Sequence, residues 1–318
     1  MIMNEEKSSK VVFMECMNLK PDETVVIVVD QGTREIGQSF HDYAKNIATE
    51  SILVEMDERE NNGQEPPKAI ANLMCTADVL ILATSKSLSH TVARFEANKC
   101  GARVASMPGI TKDMVERTLT KSYTKIHELG AAFKEILDSG SEVQLVSPAG
   151  TDLTFSILGR KAANDDGMIR TAGSFGNLPA GEAYIAPVEG SAEGTLVLDA
   201  SMSGIGLLEK PLQIEIKDGL AVQAKGDGAR WLENIFSSYG EGARNVAELG
   251  IGTNPYATIT GAVLEDEKVL GTVHIALGDN STFGGTVQAD SHLDGIITNP
   301  TLIIDGLVVI KDGEPVFE

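Results

Sequence analysis

Basic side chains are scarce in this chain. Lysine and arginine total 26 against 46 acidic residues, a formal net charge of −20 over 318 residues. Phosphate backbones and anionic lipid surfaces are recognised through a basic footprint, so neither nucleic acid nor a membrane surface is expected as a partner. Long apolar runs are also missing. The longest, VVIVV and VLILA, are about a quarter of a membrane-spanning length. The N-terminal stretch MIMNEEKSSKVVF lacks the charged and then apolar order of a signal peptide. Cysteines number three, Cys16, Cys75 and Cys100, with no CxxC spacing. They read as reduced, buried thiols of a cytoplasmic protein.

Other absences narrow the chemistry. No Gly-x-Ser-x-Gly elbow and no His-Glu-x-x-His is present, which removes serine hydrolases of that type and zincin helices. Where a dinucleotide fold would carry GxGxxG after its first strand, the chain reads QGTREIG after VVIVVD. The Gly-rich stretch GDNSTFGG could cradle an anion through its amides, but it lacks the lysine of a P-loop.

What is present is ordinary globular material, 42% hydrophobic and 23% charged, long enough for two domains. The first part alternates strand and helix signals. TVVIVVD and DVLILAT are continuous β-branched runs suited to strands buried on both faces, and SILVEM and ARVASMP are weaker candidates. Amphipathic stretches separate them, with a longer helix expected over residues 112–137. From about 141 the pattern becomes β-rich. Hairpins are expected in EVQLVSPAGTDLTFSI, in PLQIEIKDGLAVQAKG and near the C-terminus, with one helix near 228–239. The expected fold is therefore α/β: an open parallel-sheet domain of flavodoxin or Rossmann type over 1–140, then a β-rich α+β domain over 141–318.

Only five histidines occur, and two lie close together near the C-terminus. His292 and Asp294 form His-x-Asp, and residues two apart on a strand share a face. They suit a transition metal, or else an exposed loop pair. His274, on the alternating run TVHIALG, is either a hydrogen-bonded core residue or a second ligand. Glu182 and Glu248 are lone acids among apolar and small residues. Buried, each needs a cation, a metal or a raised pKa; otherwise each is a surface glutamate. Glu189 and Glu193 read as solvated loop acids, and His41, His90 and His127 as surface or interdomain residues of the first domain.

Taken in order, NLPAGEAYIAPVEGSAEGT, VAELGIGTNP, GTVHIALG and HLDG resemble the metallo-aminopeptidases of the aminopeptidase T and aminopeptidase S type. SLSHTVARFEANKCGARVASMPGIT is similar to that family's N-terminal half. The resemblance implies two divalent ions, Zn, Co or Mn, held by Glu182, Glu248, His274, His292 and Asp294. Glu248 would bridge them and act in catalysis. It further implies a homodimer that releases N-terminal residues from peptides. One feature departs from the peptidases: they carry a tyrosine soon after the first histidine, and here the stretch ALGDNSTFGGT has Phe283. The ring-cleaving 2,5-dihydroxypyridine 5,6-dioxygenases look like relatives of the same family. They imply instead one Fe(II) on a triad of two histidines and a carboxylate, for which His274, His292 and Asp294 are available. A third possibility is a metal that only staples the second domain.

Overall fold

The computed structural model describes residues 2–316. The chain is α/β and divides into two compact units, one of residues up to 127 with 165–180, the other of 128–164 with 181 onward. In the first unit, β1 (Thr24–Val29) pairs in parallel with β2 (Glu50–Glu55) on one side and β3 (Val79–Ala83) on the other. Then come β4 (Arg103–Ser106) and β5 (Phe175–Asn177), giving the order β2-β1-β3-β4-β5. Helices on both faces explain why the apolar runs do not alternate. Val25 to Val29 and Val79 to Ala83 are all fully buried.

Two expectations fail. The long helix breaks into Lys112–Thr118 and Thr124–Ser139. At the break Ser122 Oγ accepts from the Thr124 amide, while Glu15 Oε1 accepts from the Tyr123 amide at 2.6 Å. Side chains thus take amides that a continuous helix would use. The cysteines are also not uniformly buried: Cys16 is, Cys75 is half-buried and Cys100 is exposed. Cys75 and Cys100 each cap the C-terminus of a helix, Lys68–Met74 and Val92–Lys99, where the chain turns.

The second unit contains antiparallel sheets. An eight-stranded sheet holds the three expected hairpins, 142–146 with 152–156, 212–217 with 220–226, and 301–304 with 307–311. Asp218-Gly219 and Asp305-Gly306 are left-handed at both positions, with φ of 49° and 76° and of 49° and 81°, which is the hairpin turn that Asp-Gly favours. The helix Ala229–Tyr239 also forms where expected. A second sheet places β6 (Glu182–Ile185), β7 (Val246–Gly252), β8 (Val273–Gly278) and β9 (His292–Ile297) side by side, antiparallel throughout. Ile185, Leu249, Ile251, Ile275, Leu277 and Ile297 join the unit's core on one face. No helix among the described residues is long and apolar enough to cross a membrane.

Candidate metal centre

The opposite face of those four strands carries the chemistry. Strand register pairs Glu182 with Gly252 and Tyr184 with Gly250. It pairs Gly250 with His274, Ala276 with Asp294 and Gly278 with His292. Directly paired residues share a face, so the acids and imidazoles are interleaved with glycine and alanine. The small residues are what make room. A Cβ on Gly250 would lie 1.9 Å from His274 Nε2.

Glu248 reaches this face because of a bulge. Val246 pairs with Leu277 and Glu248 with Ala276, leaving Ala247 as an extra residue. In an unbroken strand Val246 and Glu248 would point the same way. With the bulge, Val246 stays in the core and Glu248 turns to the imidazoles.

The result is a chain of alternating charge. His274 Nε2 lies 3.3 Å from Glu182 Oε2 and 3.3 Å from Glu248 Oε1. His292 Nε2 lies 3.4 Å from Glu248 Oε2 and 3.3 Å from Asp294 Oδ1. All five residues named from the sequence therefore meet. His274 is fully buried, whereas the His292 side chain is 32% exposed and marks the open end.

Supporting groups hold the ring and carboxylate orientations. His292 Nδ1 is 2.7 Å from the Asp279 carbonyl oxygen, so it carries the proton and leaves Nε2 for a metal. Ser203 Oγ lies 3.3 Å from Asp294 Oδ2 and accepts from the Asp294 amide at 3.2 Å.

Lys268 and Glu267 were not anticipated. They belong to the charged run Glu265-Asp266-Glu267-Lys268, a pattern that normally marks a solvated surface. Here Glu265, Asp266 and Lys268 are buried. Lys268 Nζ donates to Glu182 Oε1 at 2.7 Å and also pairs with Glu267. The only sequence signal was the position of the run, just ahead of the His274 strand.

Four carboxylates, Glu182, Glu248, Glu267 and Asp294, thus share the site with a single ammonium. Without a metal, protons meet the deficit. Burial opposes the charged form of His274, but the Glu182 and Glu248 carboxylates beside it hold its pKa well above the ordinary value. Burial likewise opposes charging of His292, and Asp294 and Glu248 prevail. Burial is the largest influence on Asp294 and raises its pKa, but His292 overrides it and holds the carboxyl far below the usual range. Burial would also raise Glu182, yet Lys268 and His274 keep it low. Glu267 is pushed up to about 8, chiefly by burial.

Two sets of donors fit a divalent ion, with ligand atoms all within 4.8 Å of one another: Glu182, Glu267 and His274 in one, Glu248, His292 and Asp294 in the other. Imidazole nitrogen with carboxylate oxygen suits Zn, Mn, Fe or Co. Glu182 Oε2 and His274 Nδ1 are buried without a hydrogen-bond partner, and a buried donor set with acceptor capacity to spare fits a cation. The expected triad of His274, His292 and Asp294 is not gathered as one set, because Glu248 stands between the two imidazoles.

Beside the open end, the Phe283 ring packs edge-on against His292 at 5.8 Å and Tyr184 at 5.6 Å between centroids. Together these rings make an aromatic wall. The other histidines lie elsewhere, His90 and His127 exposed and His41 half-buried on the helix Arg34–Ala44.

A family model described as NicX, 2,5-dihydroxypyridine 5,6-dioxygenase, matches residues 8–317. The 2,5-dihydroxypyridine 5,6-dioxygenase of Pseudomonas putida is 24% identical over 243 residues, covering 72% of this chain and 69% of that one. Two solved structures share the fold. The 2,5-dihydroxypyridine dioxygenase from Pseudomonas putida KT2440 has a TM-score of 0.82 at 18% identity, covering 100% of this chain and 98% of the other. Wild-type AmpT from Thermus thermophilus has a TM-score of 0.73 at 16% identity, covering 99% of both. The resemblance to aminopeptidases thus holds for the fold, while the family model and the curated relative carry the dioxygenase name.

Proposed function

The chain belongs to the NicX family, and on that premise we propose that it is an iron-dependent dioxygenase that opens the ring of a hydroxylated nitrogen heteroaromatic. The substrate class is that named for the relatives, 2,5-dihydroxypyridine. The observation that carries the reading is the aromatic wall. Phe283 stands edge-on against His292 and Tyr184, so the open end presents aromatic ring faces and edges. A flat ring is complementary to such a wall.

Glu248, His292 and Asp294 would hold the ion, with His274 one carboxylate deeper. When bound, Fe(II) would supply open positions for dioxygen and a chelating substrate. The protein's own part is orientation. The Asp279 carbonyl sets the His292 tautomer, Ser203 steadies Asp294, and Lys268 keeps Glu182 ionised inside the protein. Phe283 and Tyr184 align the ring and shield one side of the site from water.

The test is oxygen uptake after anaerobic loading with Fe(II). One dioxygen consumed per 2,5-dihydroxypyridine, with the loss of the substrate's ultraviolet band, is expected. No uptake across hydroxylated pyridines would count against the proposal.

A dinuclear hydrolase is the second reading, and one feature favours it. Glu248 offers one oxygen to each imidazole, the arrangement of a bridging carboxylate between two ions. Two bound metals together with release of 4-nitroaniline from aminoacyl 4-nitroanilides would select it.

A further inference from the structure

Phe283 of the aromatic wall stands on the loop 279–291 between β8 and β9, and the chain braces that loop from outside. Glu189 Oε1 accepts from the Thr286 amide at 2.7 Å and from Asn280 Nδ2 at 3.1 Å. Its other oxygen pairs with Arg160, whose second guanidinium nitrogen donates to the Gly284 carbonyl. Arg160 and Glu189 are 14% and 24% exposed, so the pair is not merely solvated.

Asn280 carries the brace inward. It is fully buried, its Oδ1 accepts from the Val287 amide at 2.9 Å, and its carbonyl accepts from Gly285 at 2.9 Å. Gly285 must lack a side chain, since a Cβ there would lie 1.9 Å from Asn280 Cγ. Glu189 and Arg160 therefore hold both sides of Phe283, at 280 and at 284–286. Glu189, expected to be a solvated loop acid, is a structural acceptor instead. Burial would raise its pKa, but the Thr286 amide and Asn280 outweigh this and keep it below the usual carboxylate range.

We propose that Glu189 is a positioning residue for the substrate slot: with Arg160 it fixes the loop so that Phe283 stays against His292 and admits a flat ring. The proposal rests on the reading of Glu248, His292 and Asp294 as the active site. Glu189 touches none of them.

Glu189→Ala and Glu189→Gln, with Arg160→Met, test it in the full-length protein. Amide hydrogen exchange over 280–287 in the metal-free protein is expected to quicken roughly tenfold or more in Glu189→Ala, and less in Glu189→Gln, which keeps an acceptor. Metal content should match the unmodified protein. With 2,5-dihydroxypyridine, KM should rise about tenfold while kcat changes about twofold. Unchanged exchange with unchanged KM would overturn the proposal, and so would loss of metal in Glu189→Gln. If the unmodified protein has no activity on ring substrates, the proposed function fails, and the exchange measurement still decides whether Glu189 braces the loop.

Discussion

Gly250 and His274 face each other across two strands so closely that a methyl group on the glycine would overlap the imidazole, 1.9 Å from Nε2. The glycine is not needed for a turn. It lies inside a fully buried strand, where glycine is otherwise unfavourable. Its reason for being there is the ring opposite. Gly250→Ala should push His274 away from Glu182 and Glu248 and weaken metal binding about tenfold to a hundredfold. Metal titration followed by calorimetry checks this; wild-type affinity would show that the imidazole has space elsewhere.

Glu248 joins the two imidazoles through both carboxylate oxygens. Replacing it by glutamine removes a buried negative charge between two groups that rely on it. Glu248→Gln is expected to lower metal occupancy below half and turnover by a factor of about 100 or more. Elemental analysis and steady-state rates measure the two effects separately.

Metal should also stabilise the second unit, because the ion replaces the protons that otherwise balance its carboxylates. At saturation, about 1,000 times the dissociation constant, binding contributes about 4 kcal/mol. That corresponds to a fall of about 10 °C in Tm on chelation. Calorimetry of the protein with and without EDTA reads the shift, and elemental analysis beforehand counts the ions. One equivalent of iron supports the dioxygenase; two of Zn, Co or Mn support the hydrolase.

In the first unit, Arg103 grips Glu23 with two hydrogen bonds, at 2.9 and 2.6 Å, both side chains being largely buried. Burial raises the Glu23 pKa, but Arg103 more than offsets it and the carboxyl is held low. A depressed carboxylate contributes its stability above the unfolded pKa of about 4.3 and loses it as pH falls through the folded value. Glu23→Gln should cost about 3 kcal/mol at pH 7, from the guanidinium left unpaired. Urea unfolding at pH 7 and again below pH 4 should show the gap between the two proteins narrowing in acid.

Much of this was legible in the sequence, for reasons that are local. Short continuous runs rich in β-branched residues suit strands covered on both faces, and Asp-Gly at a turn needs no distant partner to prefer a hairpin. His292 and Asp294 share a face because alternation along a strand is a property of the backbone. The five acids and imidazoles could be ordered by their resemblance to a known pattern, with Glu182 and Glu248 alone among apolar and small neighbours and His292 and Asp294 paired as His-x-Asp.

What only the tertiary structure decided depends on register and on groups far apart in the chain. Ala247 as a bulge, which turns Glu248 out of the core, is visible only once Val246 is paired with Leu277. Lys268 gave no signal, because a charged run has the same composition in water or in a polar core; Glu182, 86 residues away, decides the matter. Glu189 looked solvated for the same reason until Thr286 and Asn280 closed on it. The break at Tyr123 is decided by Glu15, 108 residues earlier. In each case the deciding free energy belongs to a pair, and a linear pattern holds only one member at a time.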